Sequence, residues 1–434
     1  MSFLDPHEIV GKPTDLNAMS GILDIIKRSE RFGRAKIQSK RMSDFMGDIL
    51  DQDEYYFDAV NPRIERIYER VKTCADWLRF RHYIDHDETR LTAANFCNHP
   101  LLCQCCAIRR GGLLLQKHHQ NIEQVISENP RLKAFMLTIT VANGENLSER
   151  YEHLKSSFKR LQANRRRFIG NPDRYAFTEF AKIEGAVFSY EIPKTKDGSQ
   201  WNPHIHMLIL CENPPDVGFV NFDKDGNYLP EKSSGLRDEW YRITGDSFMI
   251  DCQNNGKGKL IDMCMEVMKY AVKFSDQEPS DTWELFRCLN GLQLFGSFGV
   301  LRGVKIPKNL LDEPLSGAYY EYTLKYFSGG VYELHSYDDC TQDYETPSRI
   351  IESDVESLSI SECEASMVAK YASYGSKFGT IETPTYKHVF FTFSMLIADY
   401  PYLVAPLPSH EKSRATIRGV NSASGHDTVD PPDC

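Results

Sequence analysis

Two histidines one residue apart, His204 and His206 in Trp201-Asn-Pro-His-Ile-His-Met-Leu-Ile-Leu210, set a pair of imidazoles inside an apolar segment of β character. Alternate side chains of a strand share a face, so both rings point one way while Ile205, Met207 and Ile209 point the other. Two neutral nitrogen donors side by side can hold a divalent metal. A pair of histidines hydrogen-bonded within a core has the same spacing, and the motif alone does not choose between the two. A second group lies in Met265-Glu-Val-Met-Lys-Tyr-Ala-Val-Lys-Phe-Ser-Asp276, which has helical spacing and neither glycine nor proline. Glu266, Tyr270 and Lys273 recur at i, i+4 and i+7, so one helical face carries a carboxylate, a phenol and an ammonium. A phenol of pKa about 10 attacks poorly at neutral pH unless a cation stabilises the phenolate. Lys273 could supply that charge or neutralise a phosphate. The bland counterpart is a solvated face on which Glu266 pairs with Lys269 or Lys273.

Cysteines give an independent signal. The run Phe96-Cys-Asn-His-Pro-Leu-Leu-Cys-Gln-Cys-Cys106 follows an isolated Cys74, and the chain holds 12 cysteines in 434 residues. That is not the density of a secreted disulfide scaffold, and Asp5 and Pro6 interrupt the start, so a reducing cytoplasm is the expected location. Thiolates two residues apart, as Cys103 and Cys106 are, can grip one tetrahedral zinc from a tight turn. A cluster of reduced buried thiols is the other reading, and His99 could stand in for Cys74.

The net charge is −10, which looks wrong for a partner of nucleic acid until its distribution is considered. Residues 27–41 hold seven Lys/Arg against Glu30, residues 150–174 hold eight against two acids, and residues 337–364 hold nine acids against Arg349. Leu154, Phe158 and Leu161 form one helical stripe, with cations around it. Arg165, Arg166 and Arg167 are placed for phosphate contacts, unless they only solvate that helix. No apolar run reaches membrane-spanning length; residues 390–407 are broken by Asp399, Pro401 and Pro406. No phosphate-binding Gly-x-x-x-x-Gly-Lys-Ser/Thr run occurs in the sequence.

Taken in order, these blocks resemble the HUH endonucleases, and among them the rolling-circle replication initiator (Rep) proteins of small bacterial plasmids. Phe135-Met-Leu-Thr-Ile-Thr-Val-Ala-Asn143 is similar to the family's first strand, Gly185-Ala-Val-Phe-Ser-Tyr-Glu-Ile192 to the strand before the histidines, Pro203-His-Ile-His206 to the HUH block, and Tyr270-Ala-Val-Lys-Phe-Ser-Asp276 to the tyrosine block. Asn202 departs from the family, which often has a further histidine there. The resemblance implies that Glu191 completes a Mn²⁺ or Mg²⁺ site with His204 and His206, and that Tyr270 is the nucleophile. It further implies that Glu266, with Asp276 as fallback, serves termination. An isolated cysteine, then Phe-Cys, then Cys-x-x-Cys before two arginines also resembles these Rep proteins. That match nominates Cys74, Cys97, Cys103 and Cys106 for Zn²⁺, leaves Cys105 spare, and gives Arg109 and Arg110 to DNA. The partners implied are single-stranded or hairpin DNA at a plasmid origin and a host helicase, with no membrane. A single-strand transposase of the same type, a relaxase using Tyr55 or Tyr56, or a zinc-stabilised DNA-binding protein without activity are the alternatives.

The elements that must position these groups follow. An α+β fold is expected, an antiparallel sheet of the HUH type with helices packed on one face. Strands are expected at 135–141, 185–192, 204–211 and 293–301, helices near 150–168 and 260–275, and a loop over 213–235. Residues 1–62 would form a leader with a basic segment, 63–130 a cysteine-rich, zinc-binding helical subdomain, and 131–306 the endonuclease domain. Residues 307–434 would form an acidic C-terminal region with a disordered tail, with strands within 319–332 and a short helix within 361–373.

Overall fold

A computed structural model describes residues 16–51, 62–254, 260–268, 277–340 and 361–365. The chain runs α1 (Leu16–Asp51), α2 (Pro62–Lys72), β1 (Trp77–Tyr83), β2 (Glu88–Ala94), α3 (Gln104–Glu128), β3 (Lys133–Thr140), α4 (Leu147–Gly170), β4 (Gly185–Glu191) and β5 (His204–Cys211). It continues through α5 (Gly235–Thr244), β6 (Ile250–Gln253), α6 (Leu260–Met268), α7 (Pro279–Leu289), β7 (Phe295–Gly299), β8 (Tyr319–Tyr326) and β9 (Tyr332–Cys340). Two antiparallel sheets result, in the orders β6-β3-β5-β4-β7 and β2-β1-β8-β9.

The five-stranded sheet has β5 at its centre. Its inner residues from Met207 to Cys211 are all buried, because a strand flanked on both sides and covered on both faces loses its polar alternation. The expectation of helices on one face is corrected here. α4 lies on one face, and α3 and α6 lie on the other. α4 begins where the Asn146 side chain accepts a hydrogen bond from the Glu149 N–H (3.1 Å), an N-cap of the usual kind. It buries Leu147, Tyr151, Leu154, Phe158 and Leu161, the stripe read from the sequence. Phe158 meets Phe188 of β4 edge-to-face at 5.0 Å. Burial of a side chain of that size stabilises by roughly 1.5–3 kcal/mol. On the other face, α6 packs on β5, β4 and α3, and the His118 ring of α3 lies tilted against Phe295 of β7, with ring centroids 5.0 Å apart.

The cysteine-bearing segment is not helical throughout. β1 and β2 form a hairpin within it, with Leu78, Phe80 and Leu91 buried and Arg79 and Arg81 facing outward. The alternation is real, but the charged half masks it in the sequence. The partners of this hairpin come from the C-terminal side of the chain: β1 pairs with β8 from Trp77↔Lys325 to Tyr83↔Tyr319. Strands expected within 319–332 are therefore present as β8 and the start of β9. Between β5 and α5 the segment expected as a loop carries isolated bridges and one 3-10 turn at Pro230–Lys232, and α5 begins at its last residue, Gly235. Of the acidic stretch, residues 337–340 belong to β9 and residues 361–365 are helical; residues 341–360 and 366–434 lie outside the described residues.

A buried four-charge cluster joins these parts. Arg28 of α1 and Arg109 of α3 meet Asp312 and Glu364, all with side chains at most 2% exposed. Asp312 also accepts from the Leu91 N–H (2.6 Å), and Arg28 donates to the Thr89 carbonyl (2.9 Å). Burial alone would raise the Asp312 carboxyl, yet Arg109 and Arg28 hold it below the ordinary carboxylate range. Two cations and two anions of matched geometry tolerate one another in a dry interior, where removing any single partner is costly.

Candidate active site

β5 is entered through a fixed turn. Trp201 is buried and exchanges backbone hydrogen bonds with Gly144 (2.7 and 3.1 Å), and the Asn202 N–H donates to the Pro193 carbonyl (2.8 Å). The register that follows sets Thr138 and Thr140 of β3 opposite His206 and His204, and Ser189 and Glu191 of β4 on the other side. Directly paired residues share a face, so the two histidines and Glu191 converge. Their rings stand perpendicular with centroids 4.7 Å apart. Glu191 Oε2 lies 3.2 Å from His206 Nε2 and 3.7 Å from His204 Nε2, with the carboxylate 3% exposed.

The outer nitrogens are already engaged. His204 Nδ1–H donates to the Asn202 carbonyl (2.9 Å), and His206 Nδ1 lies 3.1 Å from Thr138 Oγ1. With Nδ1–H of His204 donating outward, its Nε2 lone pair faces Glu191, and Nε2 of His206 faces the same carboxylate; an outer partner that orients the ring is usual for metal-binding imidazoles. The outer partner of His204 is thus a backbone carbonyl of Asn202, whatever its side chain. Ligand atoms of Glu191, His204 and His206 lie within 4.8 Å of one another, and two nitrogens with a buried carboxylate suit a divalent cation such as Mn²⁺ or Mg²⁺. Glu266 of α6 faces the same group, its Oε1 3.8 Å from His206 Nε2. Tyr270, Lys273 and Asp276 lie outside the described residues, as do Tyr55 and Tyr56.

A second candidate metal site is sulfur-only. Cys74 follows α2, Cys97 follows β2, and Cys103 and Cys106 sit at the start of α3, all buried and none disulfide-bonded. The Sγ separations are 3.6 Å for Cys74–Cys106 and 3.4 Å for Cys97–Cys106 and Cys103–Cys74. A tetrahedron with zinc–sulfur bonds of about 2.3 Å has edges of about 3.8 Å, so the cluster is close to zinc geometry. Burial pushes the Cys106 thiol well above its ordinary value, so four thiolates can coexist there only around a cation. Backbone N–H groups of Cys97 and His99 point at Cys74 and Cys97 sulfur (3.3 and 3.5 Å). Cys105 turns away, toward Ser39 and the Phe32 carbonyl. The His99 ring packs edge-on to Phe286 at 6.2 Å and is outside the four-sulfur group.

The arginines divide. The expectation that Arg109 contacts DNA is corrected: it is 0% exposed and its guanidinium is bonded to Asp312, Glu364 and the Leu310 carbonyl. Arg110 is half-buried, donates to the Pro307 carbonyl (2.6 Å), and lines a cavity of about 530 Å³ on the histidine face beside Ser189 and Met268. Arg165 donates twice to the Ile183 carbonyl (3.0 and 2.6 Å) and lies over Phe298, while Arg166 and Arg167 are exposed. In the basic part of α1, Arg28 and Lys36 are buried, and Lys36 donates to the Cys74 carbonyl (2.6 Å) behind the sulfur cluster. Sequence reasoning missed Thr138 as the partner of His206. The Thr-x-Thr spacing, which repeats the period of the histidines, was the available signal. Nothing local marked Asp312 or Glu364.

The family model described as Replication protein matches residues 88–314, a span holding the histidine pair, Glu191, Glu266 and three of the four clustered cysteines. The chain is 29% identical over 224 residues to Protein rep of Streptococcus pneumoniae serotype 2, covering 48% of this chain and 61% of that protein. It is 25% identical over 165 residues to Protein rep of a Bacillus species, covering 36% and 48%. To Protein rep of Staphylococcus aureus it is 26% identical over 225 residues, covering 49% and 84%. The chain thus spans between about half and two thirds of the length of the first two relatives. No solved structure matches. No helix among the described residues is long and apolar enough to cross a membrane.

Proposed function

The chain belongs to the Replication protein family, and from that premise we propose that it initiates plasmid rolling-circle replication by nicking one DNA strand at the origin. The observation that carries the reading is the Glu191–His204–His206 group on the central strand with Glu266 set against it from α6. A divalent cation held by Glu191, His204 and His206 would polarise the scissile phosphate and offset its developing charge. The chain's own residues do the rest. The Tyr270 oxygen attacks phosphorus, an O–P bond forms, and the P–O3′ bond breaks. The products are a 5′-phosphotyrosine and a 3′-OH that primes synthesis. Lys273 stabilises the phenolate. Asn202 and Thr138 orient both imidazoles so that Nε2 faces the site.

The test is metal dependence of cleavage. Chelation should stop nicking of supercoiled plasmid, and Mn²⁺ or Mg²⁺ should restore it in the wild type. His204→Ala and His206→Ala should remain at least roughly a hundred-fold slower at the same metal concentration. Full activity of either variant would remove the histidine pair from the site.

Termination needs a second cleavage, and α6 carries one carboxylate beside the histidines. In this reading Glu266 takes a proton from water, whose oxygen attacks phosphorus at the regenerated junction; the P–O3′ bond breaks, and the products are a 3′-OH and a 5′-phosphate. Glu266→Ala should still nick and form the tyrosine adduct but should give multimeric single strands from a two-origin plasmid. Normal monomer circles would reassign the role to Asp276, and loss of the first nick would place Glu266 in initiation.

A further inference from the structure

The face of the large sheet turned away from the histidines carries a groove of about 330 Å³ between α4 and the edge strand β7. Among the described residues its lining holds five cations, Lys155, Lys159, Arg165, Arg166 and Arg302, and no carboxylate. Two carboxylates stand just outside: Glu152 pairs with Lys155 at 2.8 Å, and Glu184 acts on Arg165. Such a concentration of positive charge on a chain of net charge −10 marks a place for a polyanion. The floor is aromatic, formed by Phe158, Phe188, Tyr190 and Phe298. Burial pushes the Tyr151 phenol up to about 12 and Tyr190 higher still, so neither adds an anion.

The groove also communicates with the catalytic face. Gln293, Gly296, Ser297 and Arg302 line both it and the cavity of about 530 Å³ beside Ser189 and Met268. β7 is the last strand of its sheet, so a flexible chain can pass around its edge from one face to the other. The crossing is kept thin by Gly296, where an added Cβ would lie 2.5 Å from the Phe188 ring.

We propose that this groove binds the sugar–phosphate backbone of single-stranded DNA, and that the strand reaches it from the histidine face by passing around the edge of β7. The volume is that of a small-ligand site, with room for one nucleotide unit. Lys155, Lys159, Arg166 and Arg302 neutralise phosphates, and the aromatic floor gives a sugar or base an apolar side. The assignment rests on the nicking reading for its substrate class, but its test does not require cleavage.

The test uses the full-length chain and a fluorescein-labelled oligo(dT), read by anisotropy across a salt series. Each phosphate contact contributes about 0.7 to the slope of log K against log salt for single strands. Lys159→Ala/Arg166→Ala/Arg302→Ala should weaken binding at least roughly ten-fold at low salt and lower the slope by about 2. Lys224→Ala/Lys232→Ala/Lys325→Ala, which removes the same charge from exposed positions elsewhere, should stay within about two-fold. Melting temperature and zinc content check the fold, and Arg302→Gln alone, expected to lower the slope by about 0.7, serves if the triple variant is unstable. Equal losses in the two triple variants, or none in the first, overturn the proposal. Intact DNA binding with replication lost in cells would also overturn it and mark the groove as a docking face for an acidic protein. Failure of wild-type chain to bind oligo(dT) sinks the groove. The nicking reading is judged separately by the tyrosine adduct on origin DNA.

Discussion

Tyr270→Phe is expected to abolish nicking of supercoiled origin DNA and the covalent protein–DNA adduct together, while origin binding stays nearly unchanged. The substitution deletes a hydroxyl oxygen and leaves the ring, so packing is conserved and only the nucleophile is lost. Removing a lone covalent nucleophile lowers rate on the order of 10⁴–10⁶-fold. The measurement is paired: relaxation of plasmid on a gel, and a labelled oligonucleotide retained on denatured protein. Because Glu191, His204 and His206 remain in the variant, metal affinity should be that of the wild type. An adduct formed by the variant would move the nucleophile elsewhere, with Tyr55 and Tyr56 first to be tested.

Loss of the sulfur-bound metal should have the largest effect on the fold. Elemental analysis should find about one zinc per chain. Structural zinc contributes about 10–16 kcal/mol of binding free energy in small modules, against a total stability of about 5–15 kcal/mol for a typical domain. A strong zinc chelator should therefore unfold the region around α2, the β1–β2 hairpin and the start of α3. Circular dichroism and proteolysis would read this. Cys103→Ser should lose the metal, whereas Cys105→Ser should keep it, since Cys105 points to Ser39 and the Phe32 carbonyl. Fresh protein free of zinc, or equal zinc loss in both variants, would end the four-sulfur assignment.

What the sequence made legible is what depends on neighbours a few residues away. The period-2 runs that became β3, β4 and β5 were readable, as was the helical stripe Leu154, Phe158 and Leu161. His204 and His206 declared a shared face for the same reason. The grouping of four cysteines, by contrast, came from a resemblance, and the structure brings the same four sulfurs together. Arg109 was misread because its environment is built from Asp312 and Glu364, 203 and 255 residues further along. Before those partners are known, an arginine after Cys-x-x-Cys looks like any other cation. β1 was hidden because its solvent side is charged, and β6 because four residues carry too little pattern. The groove on the α4 face draws Arg302 from a segment more than 130 residues beyond the other four cations.

The nesting of one sheet inside the other also sets an order of events in time. All of the five-stranded sheet, from Lys133 to Gly299, lies between Ala94 at the end of β2 and Tyr319 at the start of β8. A ribosome adding about 5–20 residues per second needs roughly ten to forty-five seconds to cross that interval. A β1–β2 hairpin formed in that interval has the far edge of β1 open, the condition that invites pairing with a stranger's strand. β1 meets that exposure with Arg79 and Arg81 at alternate positions, cations that repel a like copy of themselves. When β8 is finally made, Glu321 arrives opposite Arg81 and reaches Arg79 as well, 2.7 and 3.4 Å away. The same two side chains are then a guard during synthesis and a latch after it.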